Sequence, residues 1–96
     1  MIGEAEVEEL EKIFNALANR NRLLILATLD KANPKGLTYS ELRRRLNLNP
    51  NTLSYNLGVL IDAGLVERRV VESERGYTSY RITKLGKSYL ARGVKK

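Results

Sequence analysis

The sequence predicts a mostly α-helical domain with a small β-hairpin, in the order helix, helix, helix, turn, helix, hairpin, helix. Three observations predict it. Apolar residues recur every three to four positions up to Gly64, and beyond Gly64 the pattern shifts toward alternation in valine, tyrosine and threonine. Side chains that cap helices stand at the breaks between these runs. Ninety-six residues are enough for one core and too few for two, so a single domain over residues 1–96 is expected.

The first helix is predicted over residues 4–17, where Val7, Leu10, Ile13, Phe14 and Leu17 share one face. Asn19 is the expected N-cap of a second helix ending near Asp30. Its leucines and isoleucine, from Leu23 to Leu29, spread around most of the circumference, so this helix is expected to be the buried centre. Asn33-Pro34 and Gly36 mark a loop. Thr38 and Glu41 then fit a capping box, and a short helix should follow with Leu42 and Leu46 inward. Asn47-Leu48-Asn49 reads as a tight turn, because Asn49-Pro50 supplies a cap and a proline preset for a first helical turn. The fourth helix should run from Pro50 to Ala63 and close on Gly64. Residues 65–74 and 77–83 read as two strands joined at Arg75-Gly76, and Thr83 should cap a last helix through Leu85, Tyr89 and Leu90.

Composition narrows the function. With no cysteine or histidine the chain cannot form disulfides, lacks the thiolate and imidazole ligands usual in zinc, copper, haem and iron–sulfur sites, and carries no His- or Cys-based catalysis. No metal and no other cofactor is expected. Glu41 is accounted for as a cap and the N-terminal glutamates as an exposed helix face. No glycine-rich phosphate loop or nucleophile–base pair is visible, so no enzyme is expected. The longest apolar run, Leu23 to Ala27, is far short of the roughly 20 residues of a membrane span. No basic region precedes an apolar stretch at the N-terminus, so neither a signal peptide nor a membrane partner is expected, and a cytoplasmic location is.

What remains is charge. The net charge is +6, unevenly placed: residues 1–30 hold three basic and six acidic side chains, and residues 31–96 hold fourteen and five. That excess points to a polyanionic partner met by the last two thirds of the chain.

Two helices joined by a short turn and followed by a hairpin form the plan of a winged helix-turn-helix domain. Leu17-Ala18-Asn19-Arg20-Asn21-Arg22-Leu23-Leu24-Ile25-Leu26 resembles the Leu-Ala-Asp-Pro-Thr-Arg-x-x-Ile-Leu signature of ArsR-like bacterial and archaeal transcription regulators. The run from Leu53 to Val66 is similar to their recognition-helix segment, x-Ser-x-His-Leu-x-x-Leu-x-x-Ala-Gly-Leu-Val. The run from Tyr80 to Lys87 is similar to the end of the wing and start of the last helix in MarR- and PadR-like proteins. The sequence departs from the pattern at Asn19-Arg20, where Asp-Pro is usual, and at Tyr55-Asn56, where His-His is frequent. Metal sensors of the ArsR type carry cysteines or His/Asp clusters, so the resemblance does not extend to metal sensing.

The resemblance implies a homodimer, formed by the terminal helices, that regulates transcription by binding double-stranded DNA. A repressor acting on an inverted repeat is the expected form. On a helical wheel Leu53, Leu57, Leu60 and Ile61 anchor the fourth helix, while Thr52, Tyr55 and Val59 fall opposite, flanked by Asn51, Asn56 and Asp62. Asn56 or Asn51 would pair with adenine, Thr52 or Tyr55 would reach base or phosphate, and Val59 would meet a thymine methyl. Ser54, matching the family serine, is placed for a phosphate. Of Arg43, Arg44 and Arg45, on the helix that crosses the DNA backbone, one is expected to contact a phosphate, Arg43 and Arg44 being the candidates. The hairpin carries Arg68, Arg69, Arg75 and Arg81. Arg75, at a tip that Gly76 allows to turn, is the candidate for a minor groove, with Arg69 behind it. Tyr77, Tyr80 and Tyr89 read as core or interface, with Tyr80 packed on the helices. Two alternatives stay open: a nonspecific, chromatin-like DNA binder, and a winged helix used for protein contact.

Overall fold

The computed structural model describes residues 2–71 and 77–94. Among these, α1 (Glu4–Leu17), α2 (Arg20–Lys31), α3 (Tyr39–Leu46), α4 (Pro50–Asp62) and α5 (Lys84–Gly93) are helical, and β1 (Leu37–Thr38), β2 (Val66–Val71) and β3 (Tyr77–Ile82) are strands. Each capping side chain does what its position predicts. Asn19 Oδ1 accepts from Arg22 N at 3.1 Å, Asn49 Oδ1 from Asn51 N at 2.8 Å, and Thr83 Oγ1 from Gly86 N at 3.0 Å. Thr83 also donates to Gly64 O at 2.7 Å, which ties the start of α5 to the chain leaving α4. Gly64 takes the left-handed conformation, φ 77°, that closes α4.

The three strands form one antiparallel sheet in the order β1-β3-β2. The hairpin of β2 and β3 is in the register Val66 to Ile82 through Val71 to Tyr77. β1 is an addition to the predicted plan: Leu37 and Thr38 lie opposite Tyr80 and Ser79. Two residues carry no periodicity, and this strand owes its existence to a partner some forty positions later. Gly36 allows the approach. It sits at φ 81°, and a Cβ there would stand 2.5 Å from both Tyr80 O and Arg81 Cγ.

The core gathers Ile13 and Ala16 of α1, Ile25, Leu26 and Leu29 of α2, Leu42 of α3, and Leu53, Leu57 and Leu60 of α4, closed below by Leu37, Leu65, Val66 and Ile82. Tyr80 packs against it as expected, whereas Tyr77 is exposed. α2 is central, but it is not buried all round. Leu23 and Leu24 are each 41% exposed, because that side of α2 faces outward next to α5 rather than inward.

The capping box of α3 is formed in both directions: Glu41 N donates to Thr38 Oγ1 at 3.2 Å and Thr38 N donates to Glu41 Oε1 at 2.9 Å. The Thr38 backbone N–H, and after it the Thr38 hydroxyl, hold the Glu41 carboxyl below its ordinary range. A carboxyl with a lower folded than unfolded value stabilises the fold above the ordinary glutamate value of about 4.3, and loses that stabilisation as pH falls through the folded value. Glu41→Gln is therefore expected to flatten the acid limb of stability below about pH 4.5. Denaturant unfolding at a series of pH values checks it, and parallel curves for the two proteins would refute it.

Candidate nucleic-acid interface

α3 and α4 are joined by a turn at Asn47, Leu48 and Asn49. Asn47 adopts the left-handed conformation, φ 52°, and its N–H donates to Arg43 O at 2.8 Å. Tyr39, at the start of α3, braces this corner. Its hydroxyl donates to Pro50 O at 2.8 Å and stands 3.0 Å from Ser54 Oγ. A phenol has one hydrogen to give, so Ser54 is the donor in that second contact. In the sequence Tyr39 is marked only by its place between Thr38 and Glu41. Its bridging role depends on how two helices meet, which no local spacing encodes.

The exposed stripe of α4 runs along Asn51, Ser54, Tyr55, Gly58 and Asp62, spaced by three and four residues. Tyr55 is the most prominent of these, 68% exposed. Thr52 is half-buried at the edge of the stripe. Val59, expected to point outward, instead packs against the core cluster.

Asn56 is the main correction. It is 4% exposed, between Leu53, Leu57 and Leu60, and does not stand on the outer face where an adenine edge would reach it. Its Oδ1 accepts from Arg22 Nη1 at 2.9 Å and its Nδ2 donates to Thr52 O at 2.9 Å. Arg22, 7% exposed, is equally buried. Its Nε donates to Ala16 O at 2.8 Å and its Nη2 to Asn15 O at 3.0 Å, so the guanidinium caps the last turn of α1, where backbone carbonyls lack helical partners and the helix dipole is negative. Among the described residues no carboxylate pairs with it. Arg22 stands in the segment that resembles the family signature, and its charge gives no hint of burial. A signal was present, since Arg22 precedes Ile25, Leu26 and Leu29 at the spacing of the buried face.

Arg43, Arg44 and Arg45 are all exposed in the last turns of α3. Arg43 and Arg44, with Tyr39, Ser40, Asn47 and Leu48, line a shallow cleft beside the turn, while Arg45 lies toward Glu41. On the hairpin Arg68 and Arg69 are exposed, and Arg69, opposite Ser79, faces a cleft shared with Lys35 and Thr38. Arg81 is committed elsewhere. It pairs with Glu67 across the strands at 2.6 Å and donates to Pro34 O, so it is not a free wing cation. Arg75 and Gly76, the candidates at the wing tip, lie outside the described residues. The glutamates of α1, Glu4, Glu6, Glu8, Glu9 and Glu11, are all exposed.

This geometry can be set against known proteins. The sequence profile of the helix-turn-helix domain family matches residues 17–69, over half of the chain. The fold is similar to the homodimeric winged helix-turn-helix DNA-binding domain of a possible ArsR-family transcriptional regulator from Mycobacterium bovis, with 27% identity and a TM-score of 0.77, covering 97% of this chain and 86% of that one. The chain belongs to the helix-turn-helix domain family, as an ArsR-like winged member. Other similar structures are a transcriptional regulator homologue from Pyrococcus horikoshii, 31% identical with a TM-score of 0.72 over 88% of this chain and 85% of that one, and HlyU from Vibrio cholerae, 27% identical with a TM-score of 0.71 over 94% and 92%. No curated protein sequence matches significantly. In this ArsR-like domain α3 and α4 are thus the helix-turn-helix pair, α4 its recognition helix, and β2 with β3 its wing.

Proposed function

We propose that this protein is a dimeric, sequence-specific double-stranded DNA-binding transcription regulator that represses by covering an inverted repeat. The observation that carries the reading is the polar stripe Asn51, Ser54, Tyr55 on the outer face of α4, flanked by the exposed Arg43, Arg44 and Arg45 of α3. Asn51 offers an amide for a base edge, Tyr55 and Thr52 offer hydroxyls, and the arginines offer cations to phosphates. Arg69 extends the cationic surface onto the wing, where Arg75 is the proposed minor-groove residue and Gly76 the residue that lets the tip turn.

The dimer is supported by a second surface. Phe14 and Val7 of α1, Leu23 and Leu24 of α2, and Val94 after α5 expose large apolar side chains, and Leu17, Leu23, Leu24, Tyr89, Leu90 and Val94 line one groove. Phe14 meets Tyr89 edge-on at 6.2 Å within this face. A contiguous apolar surface of this kind is normally covered. The Mycobacterium bovis relative is homodimeric, which favours a second copy as the cover. Two recognition helices would then sit about one turn of DNA, roughly 34 Å, apart.

Selection from a random duplex pool at ~0.15 M salt, followed by sequencing of what is retained, tests this reading. An enriched inverted repeat is expected. Retention without enrichment would mean a nonspecific binder, and no retention would favour a protein partner.

Gly58 gives a sharper check. It lies in mid-helix on the outer stripe, and a Cβ there would meet nothing within 4 Å, so internal packing does not call for glycine. A bare helix backbone at that point allows DNA to approach closely. Gly58→Ala is expected to stabilise the free protein by about 1 kcal/mol. It is also expected to weaken binding to the selected duplex about tenfold. Thermal unfolding and a binding isotherm read the two effects, and an affinity that rises with stability would move the DNA off this face.

A further inference from the structure

The contact between α4 and the rest of the domain is largely leucine and isoleucine: Leu53, Leu57 and Leu60 against Ile25, Leu26 and their neighbours. Such a surface resists separation, yet it discriminates weakly among small rotations of the helix about its own axis. A planar guanidinium held by three fixed acceptors is directional. Arg22 spans three helices at once. Its backbone belongs to α2, its Nε and Nη2 are satisfied by the Ala16 and Asn15 carbonyls of α1, and its Nη1 is given to Asn56 of α4. Asn56 is in turn fixed by its bond to Thr52 O one turn earlier.

We propose that Asn56 is a positioning residue for sequence recognition: through Arg22 it sets the rotation of α4 against α1 and α2, and so the direction in which Asn51 and Tyr55 face a groove. Asn56 itself touches no DNA. The inference rests on the DNA-binding reading above. It also places the pin one residue from Phe14, the α1 side chain on the apolar face, so the end of α1 is held between that face and the recognition helix.

The test compares Asn56→Ala, which removes the acceptor, with Asn56→Asp, which keeps an acceptor for Arg22 while giving up the bond to Thr52 O. Two quantities are read in the folded proteins: the ratio of affinities for the selected duplex and a random duplex at one salt concentration, and the orientation of α4 relative to α2 from residual dipolar couplings in the free protein. For Asn56→Ala the ratio is expected to fall about tenfold with the random-duplex affinity unchanged, and the α4 couplings to depart from those of α2. Asn56→Asp is expected to restore both toward the original values. A side chain that matters only for stability would move neither quantity in folded protein, and unchanged values in Asn56→Ala would overturn the proposal. If Asn56→Ala does not fold, Arg22→Lys, which keeps a cation but loses the three-way fork, takes its place in the same comparison. Should the unaltered protein retain no duplex at all, the DNA-binding reading fails by itself. The dipolar couplings then decide whether Asn56 holds α4.

Discussion

Arg22→Met is expected to cost about 3–5 kcal/mol of folding stability, the largest single-site loss outside the leucine core. Methionine fills much of the same volume, so the loss is not mainly one of packing. The Ala16 carbonyl and the Asn56 Oδ1 lose a buried donor together, while the Asn15 carbonyl keeps Ala18 N at 3.3 Å, and the enclosed site keeps water from replacing the two buried bonds freely. For a domain of this size each kcal/mol lowers the melting temperature by about 4–8 °C, so thermal unfolding followed by circular dichroism reads the effect with a wide margin. A loss under about 1 kcal/mol would mean that the orphaned acceptors find water, and that the guanidinium is replaceable. The same substitution leaves the exposed Arg43, Arg44 and Arg45 untouched, so the proposed phosphate-binding surface remains in whatever fraction stays folded.

Leu24→Glu is expected to convert the proposed dimer to a monomer while the fold survives. Leu24 is 41% exposed on the outer side of α2 and lines the groove with Leu17, Tyr89, Leu90 and Val94. A carboxylate at the centre of that face would have to be buried without a partner in the dimer, and in the monomer it is solvated. Light scattering after size exclusion should give about half the mass of the unaltered protein. Binding to a full inverted repeat should fall about 10²–10⁴-fold, while binding to an isolated half-site is unchanged, because what is lost is the effective concentration of the second recognition helix. An unchanged mass would move the dimer contact away from this groove.

Much of this ArsR-like fold was legible because its boundaries are set locally. Asn19, Thr38 with Glu41, Asn49-Pro50, Gly64 and Thr83 each act on backbone groups within three or four residues, so the chemistry that ends or begins a helix is written beside it. The shift to alternation after Gly64 marks the wing for the same reason. β1 was not legible, since Leu37 and Thr38 become a strand only when Tyr80 and Ser79 lie opposite them. The exposure of Leu23 and Leu24 was also hidden: a leucine looks the same in sequence whether the fold or a second chain covers it.

The interface divides along the same line. Helical spacing put Tyr55 on the outer face of α4 with Asn51 beside it, where both are exposed, but it also put Thr52 and Val59 outward, and these are half-buried. Asn56 was expected on the flank of that face, as a base contact, and Arg22 had no assigned place, whereas folding buries both. Neither could be buried without the other. A buried amide and a buried guanidinium are unfavourable separately and satisfied together, and the two stand thirty-four residues apart in sequence. Likewise Arg81 counted as a wing cation until the register of β2 and β3 set Glu67 against it. From its sequence by itself this protein determines where helices start and stop, which faces are apolar and where positive charge accumulates, because these depend on neighbours within one or two turns. Only the tertiary structure decides which polar groups are sealed inside and which remain to meet a partner, because each buried group needs a specific acceptor or donor that folding alone brings within 3 Å.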